Sequence, residues 1–166
     1  MKPNIEKQFL EDYEAYADAL FRFASFQLSD REAAKDAVQD VFLNAWKYIA
    51  KGETVGNMRA FLYASVRNRI IDQRRRKKEE SLDKLAEEGF DARDENAHRT
   101  IEQSAEARRV FDAIGSLDRN TAEPLLLRFA EGLPVKEIAE IMGESENAIS
   151  VRIHRGIKKL QKILSS

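Results

Sequence analysis

Apolar residues recur at helical spacing along the first half of the chain, and the alternation typical of β-strands is absent. One helix is predicted over 5–28. A second begins after Ser29, because Ser29 and Glu32 form a capping box, and Gly52 ends it. A third starts near residue 57 and continues into the basic run at 74–78. Three helices around one apolar seam predict a small domain.

The helical pattern returns near residue 105 and predicts four further helices. Breaks in the pattern separate them, and the fourth covers 146–164 with Ser145 as its cap. In the second of the four, Pro124 is expected near the first turn. The other boundary residues are Gly115, Gly132, Pro134 and Gly143.

Residues 79–104 are mostly charged and contain little aliphatic material, so they are interpreted as a linker, with a possible short helix at 82–85. The predicted fold class is therefore all-α. Two small helical domains, 1–78 and 105–166, are joined by the acidic linker 79–104.

The spacing of three residues in the C-terminal domain is typical of a helix-turn-helix. Ala139 is small, Gly143 follows four residues later, and Ile149 follows six after that. A small residue lets the second helix approach, a glycine takes the positive φ of the turn, and an apolar residue anchors the second helix. An ordinary helical hairpin with a hydrated basic face is the alternative interpretation.

Charge is strongly segregated, although the formal net charge of the whole chain is only −1. Residues 67–78 carry seven Lys/Arg and one Asp, a net charge of +6. Residues 79–106 carry three Lys/Arg and ten Asp/Glu, a net charge of −7, and residues 146–166 carry a net charge of +4. Nucleic-acid affinity depends on local cations near phosphates, so the two basic segments favour a nucleic-acid partner over merely solvated faces.

Composition excludes several other classes of protein. The chain has no cysteine, and His98 and His154 are far apart, so neither a disulfide framework nor a metal site is expected. No cofactor is expected. The N-terminus has no apolar signal core, and no run is long enough to span a membrane, so a soluble cytoplasmic protein is predicted.

Two blocks of sequence, taken together, resemble the bacterial extracytoplasmic-function (ECF) sigma factors. DAVQDVFLNAWKYI (36–49) and MRAFLYASVRNRIIDQRRRKK (58–78) resemble the promoter-melting domain of that family. AIGSLDRNTAEPLLLRFAEGLPVKEIAEIMGESENAISVRIHRGIKKLQKIL (113–164) resembles the domain that reads the upstream promoter element. The resemblance implies an alternative sigma factor, which binds core RNA polymerase, directs promoter-specific initiation and performs no catalysis.

The resemblance also implies the partners and their contact residues. Docking on core polymerase, at the β′ clamp and with the β subunit, is expected from the polar face of the second helix. That face comprises Asp36, Gln39, Asp40, Asn44 and Lys47. Contacts to the −10 element are expected from the loop 51–57 and the third helix, at Asn57, Arg67, Asn68, Asp72, Arg74, Arg75 and Arg76.

The −35 element is expected to meet the last helix. The expected contact residues are Ser145, Glu146, Asn147, Ser150, Arg152, Arg155, Lys158 and Lys159. In the family, the linker threads the polymerase active-site cleft, so its acidity suggests a mimic of nucleic acid that nascent RNA must displace. An anti-sigma factor is a further expected partner.

Two other functions remain open at this stage. A sigma-like decoy would bind an anti-sigma factor but no promoter, although such domains are usually attached to a receiver domain, and no α/β receiver pattern is present. A plain helix-turn-helix regulator would leave the 31–78 block unexplained. An enzyme is the least favoured, because Asp94, Glu95 and His98 lie in the predicted linker without pocket-forming residues.

Overall fold

The first three helices form an antiparallel bundle in the N-terminal half. A computed structural model describes residues 4–80 and 104–165. The helices are α1 (Ile5–Gln27), α2 (Arg31–Ala50) and α3 (Met58–Glu80), and α1 and α2 both pack against α3. Leu20, Phe23, Val41 and Leu62 are among the buried side chains that fill the seam between them. The predicted apolar stripes therefore face one another, as expected for amphipathic helices.

The N-terminus of α2 differs by one residue from the predicted capping box. Asp30, not Ser29, is the N-cap, and its carboxylate accepts a hydrogen bond from the Glu32 amide at 2.9 Å. The chain reaches helical geometry one residue later than predicted. Aspartate caps a helix as well as serine does, and its charge also favours the positive end of the helix dipole.

The C-terminal half contains four α-helices and one π-helical turn. The helices are α4 (Ala105–Gly115), α5 (Arg119–Leu125), α6 (Val135–Met142) and α7 (Glu146–Ser165), and the π-helical turn Leu126–Ala130 follows α5 directly. Helix α7 packs against α4, α5 and α6. Ser104 caps α4 and Ser145 caps α7, each by accepting a backbone hydrogen bond at 3.1 Å.

Pro124 does not lie near a first turn, as predicted, but inside the helix. Helix α5 begins at Arg119, so Pro124 is its sixth residue. Proline has no N–H, which removes one hydrogen bond from the helix interior. The wider π-helical turn follows two residues later, and Gly132, with a φ of +71°, lies just beyond its end.

The helix-turn-helix has the geometry that its spacing predicted. Gly143 has a φ of +66° and closes α6, Ala139 is buried at the crossing, and Ile149 is fully buried between α6 and α7. Gly156 adds a contact that the sequence analysis did not identify. A Cβ at Gly156 would lie 2.7 Å from Cδ1 of Leu125, so glycine allows α7 to approach α5 closely.

The described residues contain helices and no β-strand, which confirms the all-α prediction. Helix α3 continues to Glu80, past the predicted boundary at residue 78. The predicted short helix at 82–85 lies outside the described residues. No helix in the described ranges is long and apolar enough to cross a membrane.

Candidate nucleic-acid interface

The two halves of the chain meet across the polar face of α3, which carries the residues expected to contact the −10 element. Three glutamates of the C-terminal half point into this contact: Glu123 on α5, Glu131 after the π-helical turn, and Glu137 on α6. We call Glu123, Glu131 and Glu137 the closing glutamates. Their side chains are 4%, 0% and 4% exposed, respectively.

Glu137 binds the N-terminal end of α3. Its Oε2 accepts from Arg59 at 2.6 Å, and its Oε1 accepts from the Asn57 side chain at 3.0 Å. The Oδ1 atom of Asn57 accepts from the Ala60 amide, so Asn57 also caps α3. The pKa of Arg59 is raised, mainly by the hydrogen bond to Glu137. Asn57 is thus held by its own helix and by the opposite half.

Glu131 joins α1 and α3 to the C-terminal half. Arg22 donates to both of its carboxylate oxygens, at 3.1 and 3.2 Å, and the Tyr63 hydroxyl donates to Oε1 at 2.6 Å. Burial raises the pKa of Tyr63, and the charge of Glu131 raises it further, so this phenol remains a donor. The carboxylate therefore has three donors in a water-poor site.

Glu123 holds Arg67, one of the residues expected to contact the −10 element. The Nε atom of Arg67 donates to Oε1 of Glu123 at 2.5 Å. Burial raises the pKa of Glu123, and the charges of Arg67, Arg119 and Arg152 offset that effect in part. Burial also lowers the pKa of Arg119.

The remaining cations expected at the −10 element also have partners within the N-terminal half. Arg74 donates to the carbonyl oxygen of Gln27, and Asp72 pairs with Arg75 at 2.6 Å and with Arg76 at 3.5 Å. The hydrogen bond from Arg75 lowers the pKa of Asp72. Asn68 is exposed. The basic run is thus a set of ion pairs along α3.

A cavity of about 320 Å³ lies beside the loop that precedes α3. The loop itself contains no aromatic residue, but Tyr48 and Phe61 supply an aromatic wall from α2 and α3, with ring centroids 5.7 Å apart and planes inclined by 26°. Asn57 lines one side of the cavity, and Glu140 of α6 lines it from the C-terminal half. Tyr48 and Glu140 were not identified from the sequence.

The residues expected to dock on polymerase lie along one side of α2. Asp36, Gln39, Asn44 and Lys47 are exposed. Asp40 is half-exposed and pairs with Arg69 of α3 at 2.5 Å. Leu43, on the same helix, is 52% exposed, which adds apolar area to a polar surface.

The residues expected at the −35 element lie at the N-terminus and along the outer face of α7. Those that are exposed are Ser145, Glu146, Asn147, Ser150, Arg155, Lys158 and Lys159. Arg152 is half-buried and pairs with Glu144, whereas Lys159 is 3.8 Å from Asp118. The outer face of α7 therefore presents small polar groups first and cations later.

Within the described ranges, no group of His, Cys, Asp and Glu side chains is placed to hold a metal ion. The polar groups that the fold brings together are instead guanidinium groups, amides and carboxylates. Such groups bind phosphates, base edges or other charged side chains.

Comparison with known proteins defines the class. The family model of sigma-70 region 2 matches residues 12–80, and that of sigma-70 region 4 matches residues 107–160. The first match covers the three-helix bundle, and the second covers the part of the chain that contains the helix-turn-helix. This pair of regions defines a sigma-70 type of protein.

Individual relatives narrow the class. The chain is 26% identical to the ECF RNA polymerase sigma factor BldN of Streptomyces coelicolor over 92% of its own length and 58% of that protein. It is 24% identical to the ECF RNA polymerase sigma factor SigL of Mycobacterium tuberculosis, over 92% of this chain and 86% of SigL. The structure of the sigma factor RpoE of Bartonella quintana, in complex with the anti-sigma factor NepR, superposes with a TM-score of 0.75 at 25% identity, over 96% of this chain and 98% of RpoE. The chain belongs to the ECF RNA polymerase sigma factors.

Proposed function

We propose that this protein binds core RNA polymerase and directs it to one class of promoters, without catalysis of its own. The observation that carries the proposal is the presence of two recognition elements in one chain, the basic helix α3 and the helix-turn-helix α6–α7. A plain helix-turn-helix regulator would leave the sigma-70 region 2 match over residues 12–80 unexplained. We expect the protein to act in the cytoplasm, where polymerase and promoter DNA are found.

The N-terminal domain, residues 1–78, is proposed to carry polymerase docking and promoter melting. The polar side of α2 would meet the β′ clamp, with Leu43 supplying apolar contact. The cations of α3 would hold the displaced backbone, and the cavity beside the loop would receive an unstacked base. Its aromatic wall of Tyr48 and Phe61 suits stacking on a base face.

The C-terminal domain, residues 105–166, is proposed to read the −35 element in the major groove. Asn147 and Ser150 lie early in α7, where base edges are reached, whereas Arg155 and Lys158 lie later, where phosphates run. Modest local charge is sufficient, because polymerase tethers both domains and makes the second contact effectively intramolecular.

An anti-sigma factor is the proposed regulatory partner. The support is the RpoE complex, in which a similarly folded sigma factor is bound to an anti-sigma factor. The alternative of a decoy remains testable, since a decoy would bind the anti-sigma factor but would not support initiation.

In vitro transcription tests the proposal. Purified bacterial core polymerase and a fragmented genomic template are incubated with and without the protein, and start sites are mapped. New discrete starts that depend on the protein are expected, and their alignment should give both promoter elements. Absence of core binding would contradict the proposal, whereas core binding without any start site would favour the decoy.

A variant pair sharpens the test. Asn147→Ala removes a side chain proposed to read bases, and such contacts contribute about 1–3 kcal/mol of discrimination. Initiation at the mapped promoters should fall by about tenfold. Lys7→Ala, on the exposed side of α1, is the control and should leave initiation unchanged.

A further inference from the structure

We propose that the C-terminal half of this protein closes over its own −10 surface through the closing glutamates, and that this closed form must open before promoter DNA can bind. The proposal rests on the proposed function, because it concerns the same α3 surface. It assigns to Glu123, Glu131 and Glu137 a regulatory role that is separate from DNA reading.

The first argument is direct competition for the same groups. Asn57 and Arg67 are proposed DNA contacts, yet in the structure Glu137 accepts from Asn57 and Glu123 accepts from Arg67. A carboxylate and a phosphate are both oxyanions that accept from a guanidinium group, so one replaces the other. The two groups therefore cannot serve the closed contact and DNA at once.

The second argument is occlusion of the cavity proposed to hold the unstacked base. Glu140 of α6 lines that cavity opposite Thr54 and Val55 of the loop. A base that entered from the α6 side would meet a carboxylate from the opposite half. Closure therefore covers both the cations and the cavity.

The third argument is the polar nature of the contact, which suits a reversible one. The contacts of the closing glutamates are ion pairs and hydrogen bonds, and their arginine partners Arg22 and Arg59 are partly exposed. On separation these groups regain water, so a buried ion pair adds little net stability relative to its hydrated parts. Phe26 against Phe111, with centroids 5.9 Å apart, adds an aromatic contact between the halves. Polar contacts between domains commonly permit domain motion.

Förster transfer between two labels on the full chain tests closure. The chain has no cysteine, so Glu14→Cys on α1 and Lys162→Cys on α7 give two labelling sites without background. Both positions are exposed. High transfer is expected for the otherwise unaltered chain, and Glu123→Gln with Glu137→Gln should lower it.

A charge-matched control and a reciprocal exchange accompany that measurement. Glu11→Gln with Glu106→Gln removes the same two charges from exposed positions and should leave transfer unchanged. Arg59→Glu alone should lower transfer, and Arg59→Glu with Glu137→Arg should restore it. Restoration shows that the variant chain is folded. Equal transfer in the original chain and in the double glutamine variant, with circular dichroism unchanged, would overturn the proposal.

DNA binding by the protein without polymerase gives the second readout. The probe is a fluorescein-labelled single strand of mixed sequence, followed by anisotropy. If the open form is a minor state of about 10%, the double glutamine variant should bind about tenfold more tightly, beyond any gain in the control pair. Equal gains in both variants would indicate a charge effect alone and contradict the proposal.

Failure of the proposed function can be distinguished from failure of closure. Transfer is measured without polymerase, so it reports closure whether or not the chain supports initiation. Core binding and mapped start sites report the function independently. Loss of transfer in the glutamine variant, together with absent core binding, would uphold closure and reject the sigma role.

Discussion

Gly156 is a residue whose missing side chain sets the distance between two helices. A Cβ there would lie 2.7 Å from Cδ1 and 3.0 Å from Cγ of Leu125, and 3.1 Å from Cγ2 of Thr121. Leu125 is fully buried, so its side chain has little room to move. The spacing of α5 and α7, and with it the position of the recognition helix, depends on this glycine.

We therefore expect Gly156→Ala to lower the free energy of unfolding, although alanine is the better helix former. Overpacking a core costs about 1–3 kcal/mol, which exceeds the gain of about 1 kcal/mol in helix propensity. Gly115→Ala is the control, because nothing lies within 4 Å of its added Cβ. Urea unfolding followed by circular dichroism measures both variants, and equal stabilisation by the two would contradict the expectation.

Glu123 makes stability depend on pH. Its pKa in the folded protein is raised by burial, with Arg67, Arg119 and Arg152 as the charged groups that face it. The folded protein therefore binds this proton more tightly than the unfolded chain does. The contribution to stability is fully present below the ordinary glutamate pKa of 4.5 and is lost as pH rises through the raised pKa.

Glu123→Gln should accordingly flatten the change in unfolding free energy with pH from 4.5 upward. The measurement is urea unfolding at a series of pH values in both proteins. Glu106→Gln on α4, an exposed glutamate, is the control and should keep the slope of the unaltered chain. An identical slope in the Glu123 variant would show that this carboxyl does not carry the effect.

At the scale of the element, the start of α2 is determined by one carboxylate. Asp30→Ala should destabilise the N-terminal bundle by about 1 kcal/mol, because the Glu32 amide loses its acceptor. Ser29→Ala should change stability by less than about 0.5 kcal/mol. Trp46 is the single tryptophan and lies on α2 against Phe9, so its fluorescence reports unfolding of this bundle. The opposite ranking would restore Ser29 as the cap.

The elements themselves were largely predictable, because each helix carries an apolar stripe with a clear start and stop signal. Periodicity cannot choose between adjacent capping residues, which is why Ser29 was preferred to Asp30. It also cannot show that a proline will be accommodated inside a helix, as Pro124 is, because that depends on tertiary packing.

The contact between the halves was the part of the candidate site that could not be predicted. Glu137 lies in the first turn of α6, where an acidic residue is ordinary. Glu123 gave a better signal, since it stands beside the apolar run Pro124–Leu127 in the sequence TAEPLLL. Neither signal names the partner, because Arg59 and Arg67 are remote in sequence and only the packing of the halves brings them near.

At the scale of the whole molecule, the acidic linker links charge to function. Residues 79–106 carry a net charge of −7, and residues 81–103 of this segment lie outside the described residues. If the linker mimics nucleic acid within polymerase, replacing its acids by amides should weaken core binding or change the yield of abortive RNA. Run-off transcription with gel analysis of short products measures this. Unchanged core binding and unchanged short products would reject the mimic.

The closing glutamates and the proposed −35 readers occupy separate helices, which has a consequence for divergence among related proteins. Asn147 and Ser150 lie on α7, whereas Glu123 and Glu137 lie on α5 and α6. Substitutions on the outer face of α7 can therefore change the preferred promoter without altering closure. A duplicated copy of this protein could acquire a new set of target genes while it keeps the same means of staying inactive.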